Sequence, residues 1–213
     1  MWFEKYRPTQ LCECVLDHID NASQNLLRQA VTAATLPNLL LHGPPGTGKT
    51  TIARILCDDE RFAVNDFNGS LFGKRDVEKL KGMIPYRTVT FQERCIMIDE
   101  IDGATLSAQS ALRALMENRW ATDVSWVYTA NDFRKIMAPL RSRVILVDCS
   151  YAEGAKRQAH FAGISRRCRQ ILSAEGVRDF SDEDLRCVVD LHYPDIRQTI
   201  NALQLKCVSR HAV

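Results

Sequence analysis

Five short apolar runs punctuate the first 150 residues of the chain: Asn38–His42, Phe62–Asp66, Arg94–Asp99, Val124–Ala130 and Val144–Val147. They do not alternate with polar residues, and such runs suit strands of a parallel sheet covered on both faces. Helical patterns lie between them. Thr50–Cys57 follows a glycine-rich turn, and Asp76–Met83 is a short charged segment closed by Pro85. Over Ser107–Asn118, residues Ala108, Ala111, Leu112, Leu115 and Met116 fall on one face, with Ser107 placed to cap the start. Alternating strands and helices predict an α/β fold with right-handed crossovers. After Ser150 the strands stop, and Ala152–Ala174, Asp182–Leu191 and Pro194–Arg210 all read as helices. Ser181 followed by Asp182, Glu183 and Asp184 supplies a cap and three acids at the positive end of a helix dipole. The expected organisation is an α/β domain over residues 1–150 and a small all-helical domain over 151–213.

Charge and composition narrow this picture. The 213 residues hold 28 Lys+Arg and 26 Asp+Glu, a net charge of +2, so any nucleic acid would have to be held by a local basic patch. A hydrophobic fraction of 46% and a charged fraction of 25% exclude disorder, collagen and coiled coil as whole-chain readings. Of the eight cysteines only Cys12 and Cys14 lie close together, and without a C-x-x-C pair no zinc ribbon is visible. The start, Met1-Trp2-Phe3-Glu4-Lys5, has no apolar signal core, and no aliphatic run approaches the ~20 residues of a membrane span. The expected compartment is reducing and cytoplasmic, with no membrane partner.

Five motifs carry candidate chemistry. Gly43-Pro44-Pro45-Gly46-Thr47-Gly48-Lys49-Thr50 fits G-x-x-x-x-G-K-[ST], with an apolar strand before it and a helix after it. In such a loop backbone N–H groups and a helix N-terminus cradle phosphates. Lys49 would reach the β- and γ-phosphates, and the Thr50 hydroxyl would ligate Mg²⁺. Cys95-Ile96-Met97-Ile98-Asp99-Glu100 delivers two acids to a strand's C-terminal edge, where α/β sheets bind ligands. Asp99 would hold Mg²⁺ through water, and Glu100 would act as general base on an attacking water. Asn131, ending the fourth strand, could orient that water, although a turn Asn is commonplace. Arg143, in Leu140-Arg141-Ser142-Arg143, could project into a neighbour's nucleotide; taken alone it is equally an ordinary surface Arg. Arg197, in Pro194-Asp195-Ile196-Arg197, sits in a first helical turn, where a cation is unfavourable for the dipole. That mismatch points to a phosphate contact.

Together with the opening Trp2-Phe3-Glu4-Lys5-Tyr6-Arg7-Pro8, these motifs resemble the AAA+ clamp-loader ATPases, close to archaeal and eukaryotic replication factor C small subunits. The opening is similar to their W-x-E-K-Y-R-P signature. Asn68-Gly69-Ser70 and the short basic helix after it look more like the ATPase subunit of T-even-type phage clamp loaders. The resemblance implies a P-loop NTPase domain with a five-stranded parallel sheet, then a helical lid, using ATP and Mg²⁺. It implies that Glu4, Lys5, Tyr6 and Val15 line the adenine and ribose site. Gly46, Thr47, Gly48, Lys49, Thr50 and Thr51 would hold phosphates and metal. Asp99 and Glu100 become Walker B, Asn131 sensor 1, Arg143 the arginine finger and Arg197 sensor 2. Val144 stands where the family's Ser-Arg-Cys motif has Cys. The family's third, collar domain would begin near where these residues end, so either the sequence is a fragment or a partner subunit would supply that contact.

Lys74, Arg75, Lys79 and Lys81 cluster at one helix start, and Arg113 lies on the helix after Walker B. The family's corresponding helices track template DNA; the plain alternative is a solvated basic face. Expected partners are a sliding clamp, other loader subunits, primer–template DNA and, indirectly, DNA polymerase, in a bacterial cytoplasm if phage-encoded or a nucleus if eukaryotic. The competing readings are another AAA+ remodeller (a helicase loader or branch-migration motor) and a nucleotide-binding scaffold that does not hydrolyse.

Overall fold

A computed structural model describes residues 1–33, 35–58, 60–86, 93–118, 121, 123–150 and 153–211. Five parallel strands run in the order β2-β3-β4-β1-β5: β1 Leu39–His42, β2 Phe62–Asn68, β3 Glu93–Asp99, β4 Val124–Ala130 and β5 Ile145–Asp148. Each expected strand is present within two residues of its expected ends. The three central strands are covered as anticipated, but the edges are not. β5 exposes Ile145 and Leu146, and β2 is only partly covered, because an edge strand has a neighbour on one side only.

Successive side chains of a strand point to opposite faces, and here they feed two cores. Ile96, Ile98, Trp126 and Tyr128 meet Val77 and Leu80 of α4 (Lys74–Met83) and Leu112 and Leu115 of α5 (Leu106–Met116). Cys95, Met97 and Val127 meet Leu27 and Ala30 of α2 (Asn21–Thr32) and Ile52 and Leu56 of α3 (Lys49–Leu56). Each aliphatic side chain so buried contributes roughly 1.5–3 kcal/mol. The cap of α5 is Thr105, whose hydroxyl accepts from the Ala108 N–H at 3.2 Å, and not Ser107: the helix starts earlier than its apolar stripe suggests. Buried Gln109 ties α5 to the turn after β4, donating to the Ala104 and Lys135 carbonyls and accepting from the Met137 N–H.

The C-terminal unit consists of α7 (Gly154–Ala174), α8 (Asp182–His192) and α9 (Ile196–His211), with Ser181 capping α8 as expected. Ala152, expected in the first of these helices, lies outside the described residues. Pro194 is not in α9. Asp195 precedes the helix and accepts from the Gln198 N–H at 2.8 Å, so a capping carboxylate sets the start. Ile164, Cys168, Leu185, Val188 and Leu203 form a third core. Two residues from the other end of the chain join it: Val15, and Trp2 of α1 (Trp2–Lys5). Short α6 (Ala138–Arg141) leads into β5. No described helix is long and apolar enough to cross a membrane.

Candidate functional site

In a parallel sheet all C-terminal strand ends lie on one edge, and β4 sits between β1 and β3. The loop after β1, the acids after β3 and the polar end of β4 are therefore neighbours. The loop 43–48 turns sharply into α3. Gly43 has φ +144°, and a Cβ there would lie 2.6 Å from the Cys149 carbonyl carbon. Gly46, at φ +78°, has the Asp195 carboxylate where its side chain would be. Only glycine satisfies both demands. Lys49 is buried, and its Nζ donates to the Pro44 carbonyl at 2.7 Å inside the curl of the loop. Burial lowers its pKa, opposed by Cys149, Asp99, Asp102 and Glu100. An ammonium so desolvated gains from an anion placed against it.

Asp99, at the end of β3, joins the start of α3 to the end of β4. Its Oδ1 accepts from the Thr50 hydroxyl at 2.8 Å and from the Thr129 hydroxyl. Thr129 in turn accepts from the Glu100 N–H at 2.9 Å. A hydroxyl and a carboxylate side by side are hard oxygen donors, and this set fits Mg²⁺. Glu100 is exposed and holds φ 56°, the only left-handed non-glycine residue among those described. Such a conformation costs energy and persists where the surroundings dictate it. Here Gly69 in the turn before α4 lies against the Glu100 backbone, with space for no side chain: a Cβ would be 2.6 Å from the Glu100 carbonyl carbon. Asn131 stands on the same cavity, fixed through its backbone: Asp102 accepts from the Asn131 N–H at 3.2 Å and the Asp132 N–H at 3.1 Å.

The helical unit closes this edge. The Ile196 N–H donates to the Gly46 carbonyl at 3.0 Å, which seats the start of α9 on the phosphate loop. Arg197 lines the cavity, with its guanidinium 5.9 Å from the Phe3 ring centroid. The same cavity is also walled by Phe3, Tyr6, Pro8, Cys14 and Val15, with Arg167 of α7 among them.

One cavity thus gathers Tyr6, Val15, Gly46, Thr47, Gly48, Lys49, Thr50, Thr51, Glu100, Asn131 and Arg197, with Asp99 bonded to Thr50 behind it. Glu4 and Lys5 lie off its wall. Glu4 pairs with Arg7 at 2.8 Å and Lys5 with Glu175 at 2.7 Å, both toward solvent. Arg143 also lies outside the cavity, ion-paired with Glu117 just before the edge strand β5. Glu117 also pairs with Arg113 at 3.5 Å. Lys74, Arg75, Lys79 and Lys81 are exposed on α4, which packs beside the α5 that carries Arg113. Lys79 is paired with Asp76 at 3.5 Å.

The functional residues that sequence reasoning missed are those that join elements. Thr129 and Asp102 were legible only as polar residues near expected acids. Asp195 stood inside Pro194-Asp195-Ile196-Arg197 without being singled out, and Arg167 and Glu175 had no motif to mark them.

The model of the AAA family (ATPase family associated with various cellular activities) matches residues 39–148, just over half of the chain. Replication factor C small subunit 2 of Pyrobaculum aerophilum is 33% identical, over 100% of this chain and 65% of its own length. The sliding-clamp-loader large subunit of Enterobacteria phage T4 is 30% identical over 94% of this chain and 62% of its own length. The chain therefore spans somewhat under two thirds of these relatives. In fold it is similar to a variant of Thermotoga maritima RuvB, with a TM-score of 0.70 at 20% identity, over 93% of this chain and 64% of the other. The family match spans all five strands and the phosphate loop, and the geometry built on them is a nucleotide cradle closed by a helical lid: the chain belongs to the AAA family of ATPases.

Proposed function

We propose that this chain is an ATP-hydrolysing subunit of a sliding-clamp loader, acting with other loader subunits to open a clamp and place it on primer–template DNA. What supports the reading most is the similarity to replication factor C small subunits along the whole chain, including the opening segment whose Trp2 packs into the lid core. Lys49 and the loop amides bind the β- and γ-phosphates. Thr50 and Asp99 would hold Mg²⁺, which when bound would neutralise phosphate charge. Glu100 takes a proton from the attacking water, and Asn131 orients that water. In-line attack then breaks the bond between the γ-phosphorus and its bridging oxygen. Arg197 contacts phosphate from the lid, and Tyr6 and Val15 flank the base. Arg143 acts on the nucleotide of a neighbouring subunit, since it lies away from its own cavity at an edge strand. Lys74, Arg75, Lys79 and Arg113 track the DNA backbone, which needs charge but no base readout.

Steady-state ATPase with and without primed DNA and a candidate clamp tests this. Stimulation by the two together is expected. Hydrolysis indifferent to both would favour a different remodeller, and binding without hydrolysis would favour a scaffold.

A further inference from the structure

The lid helix α7 and its C-terminal cap carry two charged residues that none of the motifs above uses, and both hold Tyr6. Arg167 Nη2 donates to the Tyr6 carbonyl at 2.8 Å, and the Tyr6 hydroxyl donates to Glu175 Oε1 at 2.8 Å. The same Glu175 oxygen pairs with Lys5 at 2.7 Å, and the Lys5 ammonium lies 5.1 Å from the Tyr6 ring centroid. Tyr6 is thus gripped at its backbone and at its ring tip from one helix. Tyr6 and Arg167 both line the same cavity as the loop residues Gly46 to Thr51. Arg167 also lies in the electrostatic field of Glu13, itself fixed by the Thr9 N–H at 2.9 Å. Glu175 titrates lower than an ordinary glutamate because Lys5 and Tyr6 hydrogen-bond its carboxylate.

We propose that Arg167 and Glu175 are positioning residues for nucleobase binding: together they hold the Tyr6 ring in the base end of the cavity, so that base recognition requires the lid to be closed. This rests on the reading of the cavity as an ATP site and adds to it where base selectivity resides. Tyr6 comes from the opening segment, and α7 follows the last strand. The base end is therefore complete only when residues far apart in the chain meet, as the separations of 161 and 169 in these bonds record. The phosphate loop contributes nothing to this grip.

The test compares ATP with inorganic tripolyphosphate, which offers the phosphates without a base, in displacement of a fluorescent nucleotide from the full chain. Arg167→Met should weaken ATP binding about tenfold, the lower end for a hydrogen bond from a charged group, and leave tripolyphosphate within about twofold. Arg167→Lys, which keeps a charged donor, should recover most of the loss. Tyr6→Phe and Glu175→Gln should give smaller losses confined to ATP, and their double variant should be no worse than the more affected single one. In hydrolysis the change should appear in KM with kcat preserved. Equal weakening of ATP and tripolyphosphate by Arg167→Met, or unchanged ATP affinity in both Arg167→Met and Tyr6→Phe, would overturn the proposal. If the unmodified chain binds tripolyphosphate and ATP equally well, base recognition itself is absent and the proposal falls. If it binds neither, the ATP reading fails first and takes the proposal with it.

Discussion

The two ends of the nucleotide cavity are built on different plans. The phosphate end comes from the C-terminal edge of one sheet: loop 43–48, Thr50, Asp99, Glu100, Thr129 and Asn131 reach each other because adjacent parallel strands end together. The proposed base end is assembled from the opening segment and the lid, through Tyr6 with Arg167 and Glu175, and through the Trp2 N–H, which donates to Gln204 Oε1 at 2.9 Å. The first plan sets its residues on one edge of one sheet. The second makes part of the site conditional on how two units meet. The Ile196–Gly46 bond is where the plans join.

The largest effects are expected at the phosphate end. Lys49→Ala removes the buried ammonium and should abolish ATP binding in a displacement assay. Glu100→Gln should retain binding and slow turnover about 10²–10⁴-fold, the usual contribution of a general base. Hydrolysis at the wild-type rate in Glu100→Gln would remove the base assignment and erase the functional contrast between the two ends. A smaller effect is expected outside the cavity. Reversing charge at Lys74, Arg75 and Lys79 should weaken DNA-stimulated ATPase and flatten the dependence of DNA binding on salt, by roughly 0.9 in log–log slope for each phosphate no longer neutralised. Nucleotide affinity should hold. An unchanged salt slope would make α4 a solvated face.

The smallest effect concerns the junction behind the base end. His18 and His160 stack with ring centroids 4.3 Å apart, and both are buried. His160 Nδ1 lies 3.2 Å from the Tyr193 hydroxyl. Burial pushes His18 down to about 3, helped by His160 and Lys49 and opposed by Asp148. Burial likewise pushes His160 down to about 4, opposed by Asp17. Both are neutral when folded, whereas a free imidazole takes a proton near 6.5. The unfolded chain therefore binds more protons below that pH, and stability should fall as pH drops from about 6.5 toward 4 while staying flat above. Thermal unfolding midpoints across that window measure it. His18→Phe, which keeps a ring and forfeits no hydrogen bond made by His18, should reduce the slope by about one proton. A slope identical to the wild type would show that the pair is not the origin.

The contrast between the ends also explains what was legible in the sequence. Lys49, Thr50, Asp99 and Glu100 sit in contiguous motifs flanked by apolar strands, so periodicity and spacing identified both the strands and the acids they present. Thr129 and Asp102 act through bonds between strands, and one-dimensional spacing carries no register. Helix α2 went unread although Asp20 caps it, with its Oδ1 accepting from the Ser23 N–H at 2.9 Å: only Leu27 and Ala30 of its residues are fully buried, too sparse a stripe to stand out. Glu4 and Lys5 were expected beside the base from the opening signature; of these residues Tyr6 lines the cavity, while Glu4 and Lys5 lie off its wall in ion pairs with Arg7 and Glu175. Arg167 and Glu175 are ordinary helical charges until the lid is seen to meet the opening segment.

A site that draws its last catalytic group from a neighbouring subunit is what most separates an assembled motor from a lone nucleotide-binding domain. Mixing Arg143→Ala subunits with Lys49→Ala subunits, under conditions where assembly is demonstrated by sedimentation with partner subunit, clamp or primed DNA present, tests this directly. Each variant alone should be nearly inactive, Arg143→Ala by about 10³–10⁵-fold if the finger acts in trans. The mixture should regain hydrolysis, because intact fingers then face intact phosphate loops at a fraction of the interfaces. No recovery in assembled mixtures, or loss of turnover on Arg143→Ala in a demonstrably monomeric protein, would contradict it.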